Sequence, residues 1–237
     1  MSYFKQSQEV WMKGGQSPVS EADYAADLYL RETLLAARPD YGWLSEETAD
    51  TAERLSARRL FVVDPIDGTR GFLEGNSAWC VSVAIVEAGK PVAGVLECPA
   101  RAETFSAVAG KGAQKNGVAL HVRPAGPAPY VGGPRPMIDR TPAKWRETFH
   151  RIAYVPSLAY RIAMIADGVI DATFVKGHAQ DWDLAAADLI LGEAGGGILN
   201  ADGSAPIYGR ATTSHGPLAA GSGELLRVMA QTLTAGA

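Results

Sequence analysis

The sequence predicts a mixed α/β protein in two halves, and three observations carry that expectation. The first half holds short apolar runs parted by glycine-containing turns, the pattern of an antiparallel meander. The second half alternates helical and strand-like segments, which is an α/β signature. Between them, Pro124 to Pro136 holds five prolines and three glycines, a composition that breaks helix and strand alike. The boundary therefore falls there, giving an N-terminal α+β unit over 1–125 and a C-terminal α/β unit over 126–237.

Taken in order, Ser17-Pro18-Val19 leads into Ser20-Glu21-Ala22-Asp23, which opens a helix. Its apolar positions Ala22, Ala25, Ala26, Tyr29, Leu30, Leu34 and Ala37 follow a 3.6-residue period until Pro39. Ser20 and Asp23 form a capping-box variant in which each side chain satisfies an orphan amide. Tyr41 to Thr48 reads as a strand whose alternation sends Glu46 and Glu47 to opposite faces. Ala78 to Glu87, Pro91 to Cys98 and Thr104 to Val108 are the meander, and Gly110-Lys111-Gly112 is a hairpin turn that lacks the spacer of a P-loop. Beyond the proline-rich stretch come helices near Pro142 to His150 and from Ser157 to Gly168, then a strand over Val169 to Val175. A helix over Trp182 to Ala194, a strand over Leu218 to Ala220 and a last helix over Gly223 to Leu233 follow.

Composition narrows the partners. A net charge of -4 with no basic stripe argues against nucleic acid, and no apolar run reaches the length of a membrane span. Small molecules, metal ions or another protein remain. Cys80 and Cys98 sit in apolar runs and give no disulfide framework, and no secretory signal is visible, so a cytoplasmic protein is expected. The histidines 121, 150, 178 and 215 have no ligand spacing, which argues against zinc.

The chemistry concentrates in Val62-Val63-Asp64-Pro65-Ile66-Asp67-Gly68-Thr69. An apolar strand there ends at Pro65 and delivers Asp64 and Asp67 to a turn. Hard oxygen ligands suit Mg²⁺, which takes one or two carboxylates and leaves positions for water and phosphate, while the Gly68 and Thr69 amides, opening a short helix, face an anion. The same residues are also good turn formers, so the loop alone leaves both readings open. A second acidic group, Asp181 and Asp183, begins the Trp182 helix. Those acids complement the helix dipole, and the alanines that follow allow a close backbone approach.

Together these residues resemble the inositol monophosphatase-like superfamily of lithium-sensitive, Mg²⁺-dependent phosphomonoesterases. Its signatures occur in family order: Glu46-Glu47, the Asp64 to Thr69 run, and Trp182-Asp183 followed by small residues and a Gly-Gly stop. Lys13 and Ser17 to Asp23 resemble the family's N-terminal pattern. The resemblance implies an alternating αβαβα sandwich, usually a homodimer. It implies one metal on Glu46, Asp64 and the Ile66 carbonyl, a second on Asp64, Asp67 and Asp183, and a loosely held third at Glu46. It also implies that Thr69, oriented by Asp23, accepts the proton of the attacking water.

Three departures bear on substrate. Only twelve residues precede Lys13, which shortens the helix that family members place there. Arg70-Gly71 replaces the usual Thr-Asn. Lys176 falls where inositol-specific members carry a glutamate, and a cation there cannot accept hydrogen bonds from inositol hydroxyls but suits a second phosphate. The chain thus most resembles bacterial 3'(2'),5'-bisphosphate nucleotidases, with Gly68, Thr69, Ser157 and Lys176 as substrate contacts, although Ala159 stands where those enzymes often carry lysine. Inositol monophosphatase, histidinol-phosphatase and a non-catalytic regulator on the same fold are the alternatives.

Overall fold

The computed structural model describes residues 1–6, 9–13 and 17–234. Gly14 and Gly15, and the side chains of Lys13 and Ser17, lie outside the described residues. A hairpin of β1 (Val10–Lys13) and β2 (Ser17–Ser20) precedes α1 (Glu21–Ala37). Seven strands then form one sheet in chain order: β3 (Gly42–Ser45), β4 (Arg59–Asp67), β5 (Cys80–Glu87), β6 (Lys90–Cys98), β7 (Glu103–Val108), β8 (Ala113–Lys115) and β9 (Val118–Ala119). The short α2 (Thr69–Leu73) follows β4. All pairs after β3/β4 are antiparallel, as the meander pattern predicts, whereas β3 and β4 run parallel.

The second sheet has five strands: β10 (Tyr130–Gly132), β11 (His150–Arg151), β12 (Ala172–Val175), β13 (Gly197–Leu199) and β14 (Leu218–Gly221), in the order β11-β10-β12-β14-β13. Its helices are α3 (Arg135–Asp139), α4 (Ala143–Arg146), α5 (Leu158–Ala166), α6 (Asp181–Glu193) and α7 (Gly223–Thr234).

The layers follow from what each helix covers. Helix α1 lies on β4, α5 and α6 lie between the two sheets, and α7 covers the far face of the second sheet. This is the expected αβαβα sandwich. One buried cluster fills the middle: Leu44, Leu96 and Phe105 of the first sheet meet Leu184 and Ile190 of α6 and Leu218 of the second sheet. That core is continuous across Pro124 to Pro136. Helix α6 sits close to the sheet: Ala185, Ala186 and Ala187 are all 0% exposed, and Ala186 lies over Gly94 of β6, where an added Cβ would meet the Ala186 Cα at 3.1 Å. The alanine run thus serves helix-on-sheet contact.

Several sequence expectations need correction. Pro65 does not end its strand. β4 continues to Asp67 through an irregularity: Asp64 pairs with Ser82 and Asp67 with Cys80, so β4 uses one more residue than β5 over that span. An extra residue of this kind bends the strand and accommodates a proline that a regular ladder would not. β3 stops at Ser45, so Glu46 and Glu47 sit in a bend and alternation does not govern them. The helix near Pro142 is a single turn, and the strand expected from Val169 starts at Ala172. The β1/β2 hairpin, β10, β11 and β13 are too short or too glycine- and proline-rich for periodicity to show.

Candidate active site

The bulge in β4 and the N-termini of α5 and α6 converge on one cluster of carboxylates. Carboxylate oxygens of Asp64, Asp67 and Asp183 lie within 4.8 Å of one another. Asp64 and Asp67 are buried, and Asp183 is partly exposed at its rim.

Each acid is held by its own local structure. Asp64 Oδ1 accepts the Ile66 amide at 3.0 Å, a bond made possible by the bulge. Asp67 caps α5 from across the chain: Oδ2 accepts the Ser157 hydroxyl at 2.5 Å and the Ala159 amide at 2.6 Å, and Oδ1 accepts the Leu158 amide at 3.3 Å. Ser157 Oγ in turn accepts the Tyr160 amide at 2.9 Å. Asp183 Oδ2 accepts the Gln180 amide at 2.6 Å within a capping box, and the Ser82 hydroxyl anchors the same turn by donating to the Trp182 carbonyl at 3.1 Å. The dipole-complementing reading of Asp183 and its convergence on the pocket are therefore both met by one conformation.

Gly68 makes the approach possible. Its φ of +93° lies in the left-handed region, and an added Cβ would stand 3.0 Å from the Ser157 nitrogen. Gly71 is equally tight, with an added Cβ 2.7 Å from Pro156.

Asp23 also does two things. Its Oδ2 accepts the Ser20 amide at 2.8 Å and the Ser20 hydroxyl at 2.7 Å, the capping geometry expected from sequence. Its Oδ1 accepts the Thr69 hydroxyl at 3.3 Å, and that hydroxyl also lies 3.1 Å from the Ile66 carbonyl. Structural cap and site residue are here one side chain.

Burial pushes the Asp64 carboxyl well above the usual range, and the charges of Glu46, Asp67, Asp183 and Asp23 push it further in the same direction. Glu46 is thus brought within electrostatic reach of the pocket. Burial raises Asp67 as well, against the hydrogen bonds from Ser157, Ala159 and Leu158. Asp183 is pushed up to about 7, chiefly by burial and then by Asp67. Asp23 is also raised, by burial. Mutually repelling buried acids with raised pKa values mark functional sites rather than stabilising ones. A donor set of hard oxygens suits Mg²⁺.

The comparisons agree with this chemistry. The sequence profile of the inositol monophosphatase family matches residues 1–235. The chain belongs to the inositol monophosphatase family. Similar relatives are a histidinol-phosphatase of Mycobacterium tuberculosis, 33% identical over 85% of this chain and 82% of that protein, and the 3'(2'),5'-bisphosphate nucleotidase CysQ of Aggregatibacter actinomycetemcomitans, 30% identical over 84% and 77%. An inositol-1-monophosphatase of Rhizobium meliloti is 34% identical over 84% and 77%. Among solved structures, the extragenic suppressor protein SuhB of Bartonella henselae superposes with a TM-score of 0.80 at 28% identity, over 97% of this chain and 90% of that one. Inositol monophosphatase-family enzymes use Mg²⁺, and this chain belongs with them as a metal-dependent phosphatase.

Two residues expected to touch substrate stand differently. Ser157 is 0% exposed with its hydroxyl turned to Asp67, so it shapes the pocket from behind. Lys176 is exposed just past β12. Sequence reasoning missed the Leu158 and Ala159 amides, because their contact with Asp67 spans about ninety residues and has no local signature. It also missed the partners of Asp181, whose carboxylate meets His215 Nε2 at 2.7 Å and accepts the Gly209 amide at 2.7 Å, tying the loop before β14 to the start of α6.

Proposed function

We propose that this phosphatase acts on small esters bearing a second negative charge, with adenosine 3',5'-bisphosphate as its substrate and a 3'(2'),5'-bisphosphate nucleotidase activity. Asp64, Asp67 and Asp183 hold Mg²⁺, with Glu46 and the Ile66 carbonyl completing the set for two or three ions. When bound, Mg²⁺ offsets the charge of the phosphate and of the attacking and leaving oxygens. The amides of Gly68 and Thr69 orient the phosphate being cleaved. Thr69 Oγ1 takes a proton from the attacking water as its own proton passes to Asp23 Oδ1, and burial, by raising Asp23, makes that carboxylate a better acceptor. The P–O bond to the leaving group breaks as the water oxygen bonds to phosphorus, and the leaving oxygen takes a proton from solvent to depart as the alcohol.

The observation that supports this reading is the triad of carboxylates within 4.8 Å beside the Thr69–Asp23 pair. Exposed Lys176 supports the choice of substrate, because a cation pairs with a second phosphate but cannot accept a hydrogen bond from an inositol hydroxyl. Lithium inhibition belongs to the same reading, since a small cation competes for oxygen ligands.

Phosphate release with and without Mg²⁺ tests it, on adenosine 3',5'-bisphosphate, inositol 1-phosphate and histidinol phosphate. The highest kcat/KM is expected for the bisphosphate, and preference for either monoester overturns the substrate assignment. Absence of release from all three in Mg²⁺ favours a regulatory protein on this fold.

A further inference from the structure

Helix α1 carries a second buried carboxylate beside the site, Asp27, which is 7% exposed. It lies four residues after Asp23 and so on the same helical face. Its oxygens are divided between two hydroxyls: Ser45 Oγ donates to Oδ1 at 2.5 Å and Thr48 Oγ1 donates to Oδ2 at 2.6 Å. Ser45 and Thr48 bracket Glu46 and Glu47. The bracket is closed by further bonds. Ser45 Oγ accepts the Glu47 amide at 3.4 Å, Trp43 Nε1 donates to Thr48 Oγ1 at 3.3 Å, and the Glu46 amide donates to the Val63 carbonyl one residue before Asp64 at 3.2 Å.

We propose that Asp27 is a positioning residue for the metal site: by gripping both ends of the Ser45 to Thr48 bend it fixes where the Glu46 carboxylate stands. The proposal rests on the phosphatase reading above, in which Glu46 faces the metal. Two arguments support it. A helix that only needed to pack on this bend would do so more cheaply with an apolar side chain, because a buried carboxylate is costly unless fully hydrogen-bonded. And a bend that leaves a strand has few ladder bonds of its own, so side-chain bonds must set its conformation. With Asp23 serving Thr69 after β4 and Asp27 serving Glu46 after β3, one face of α1 braces the loops that follow these two parallel neighbouring strands.

The test uses Asp27→Asn, Thr48→Val and Ser45→Ala in the full chain. Mn²⁺ binding to substrate-free protein is measured by calorimetry, with Mg²⁺-dependent turnover and Tm in EDTA alongside. Asparagine keeps the shape but accepts through only one oxygen. Asp27→Asn should therefore weaken Mn²⁺ binding and raise the Mg²⁺ needed for half-maximal rate by about ten- to a hundredfold, the usual effect of losing a group that orients a ligand. Turnover at saturating Mg²⁺ should fall far less. Thr48→Val should act in the same direction and add little on top of Asp27→Asn, since both remove one shared contact.

Unchanged Mn²⁺ binding in Asp27→Asn overturns the proposal, as does full additivity with Thr48→Val. If Asp27→Asn fails to fold, Thr48→Val and Ser45→Ala decide, and wild-type Mn²⁺ affinity in both sinks it. The binding arm needs no turnover, so a wild-type protein that binds Mn²⁺ yet cleaves no ester defeats the phosphatase reading while the role of Asp27 is still decided.

Discussion

Asp171 and the Asp64 pocket are both places where the chain buries carboxylates, and they are treated in opposite ways. Asp171, 5% exposed just before β12, receives both arms of the Arg123 guanidinium at 2.9 Å and the Tyr130 amide at 2.7 Å. A planar fork matched to a carboxylate is the usual solution for a buried acid that only holds structure together. Asp64, Asp67 and Asp183 receive amides and one hydroxyl instead, while they push one another's pKa upward. Asp67 also feels the field of Arg161, behind its burial and its hydrogen bonds. The difference separates a folding contact from a site whose missing charge is to be supplied by a bound dication.

The sharpest way to break that comparison is to neutralise one acid of the pocket. Asp183→Asn keeps an oxygen to accept the Gln180 amide, so α6 should stay capped. Removing one metal carboxylate should cost several kcal/mol of transition-state stabilisation, roughly a thousandfold or more in turnover even at saturating Mg²⁺. Turnover within tenfold of wild type in a steady-state phosphate-release assay would mean that Asp183 does not hold the metal.

The same variant measures what the uncompensated charge costs the fold. Asp183 sits near 7 in the folded chain against 3.8 for a free carboxyl, so the folded state binds more protons between those values. That contribution to stability is therefore complete below about pH 3.8 and is lost as pH rises through about 7. In EDTA, Tm of the wild type should fall relative to Asp183→Asn as pH goes from 5 to 8, by an amount equivalent to a few kcal/mol at most. Mg²⁺, which binds the ionised carboxylates, should reverse the trend in the wild type and do much less in the variant. Acids with lowered pKa values, such as Glu87 and Glu193, act mainly below this window and cancel in the difference. A Tm difference that is flat with pH would show that burial of this charge is not strained.

How much of this was legible beforehand divides along the same line. Local chemistry was readable: Gly68 before a short helix, Ser20 and Asp23 as a cap, and the apolar run that gives β5. Motif order then identified the acids of the pocket. Contacts between distant segments were not readable. Ser157 reaching Asp67, Arg123 forking onto Asp171 and Asp27 gripping Ser45 and Thr48 each depend on chain segments that only the packed sheets bring together. The bulge that lets β4 pass through Pro65 was hidden for another reason, because proline ordinarily ends a ladder and only the count of residues opposite Cys80 and Ser82 reveals the accommodation.

Lys176, exposed just past β12, gives the smallest expected effect and the finest test. Lys176 is exposed, so its charge is screened by water and salt, and an exposed ion pair is worth about 0.2–1 kcal/mol. Lys176→Glu removes that attraction and adds a repulsion of similar size, which together correspond to about a two- to thirtyfold loss in kcat/KM for adenosine 3',5'-bisphosphate. The loss should appear mainly in KM, because the second phosphate is not the one being cleaved and is held equally in ground and transition states. It should shrink as ionic strength rises from 0.05 to 0.5 M, since screening acts on exposed charges first. Inositol 1-phosphate carries no second phosphate, and its kcat/KM should change less than about twofold. An equal fall for both esters would place Lys176 in general electrostatic attraction of anions to the pocket, and no change in either would make it a solvated strand-end lysine. In both cases the preference for a bisphosphate would have to come from another residue, with exposed Arg70 the nearest cation in sequence to the Asp64 loop.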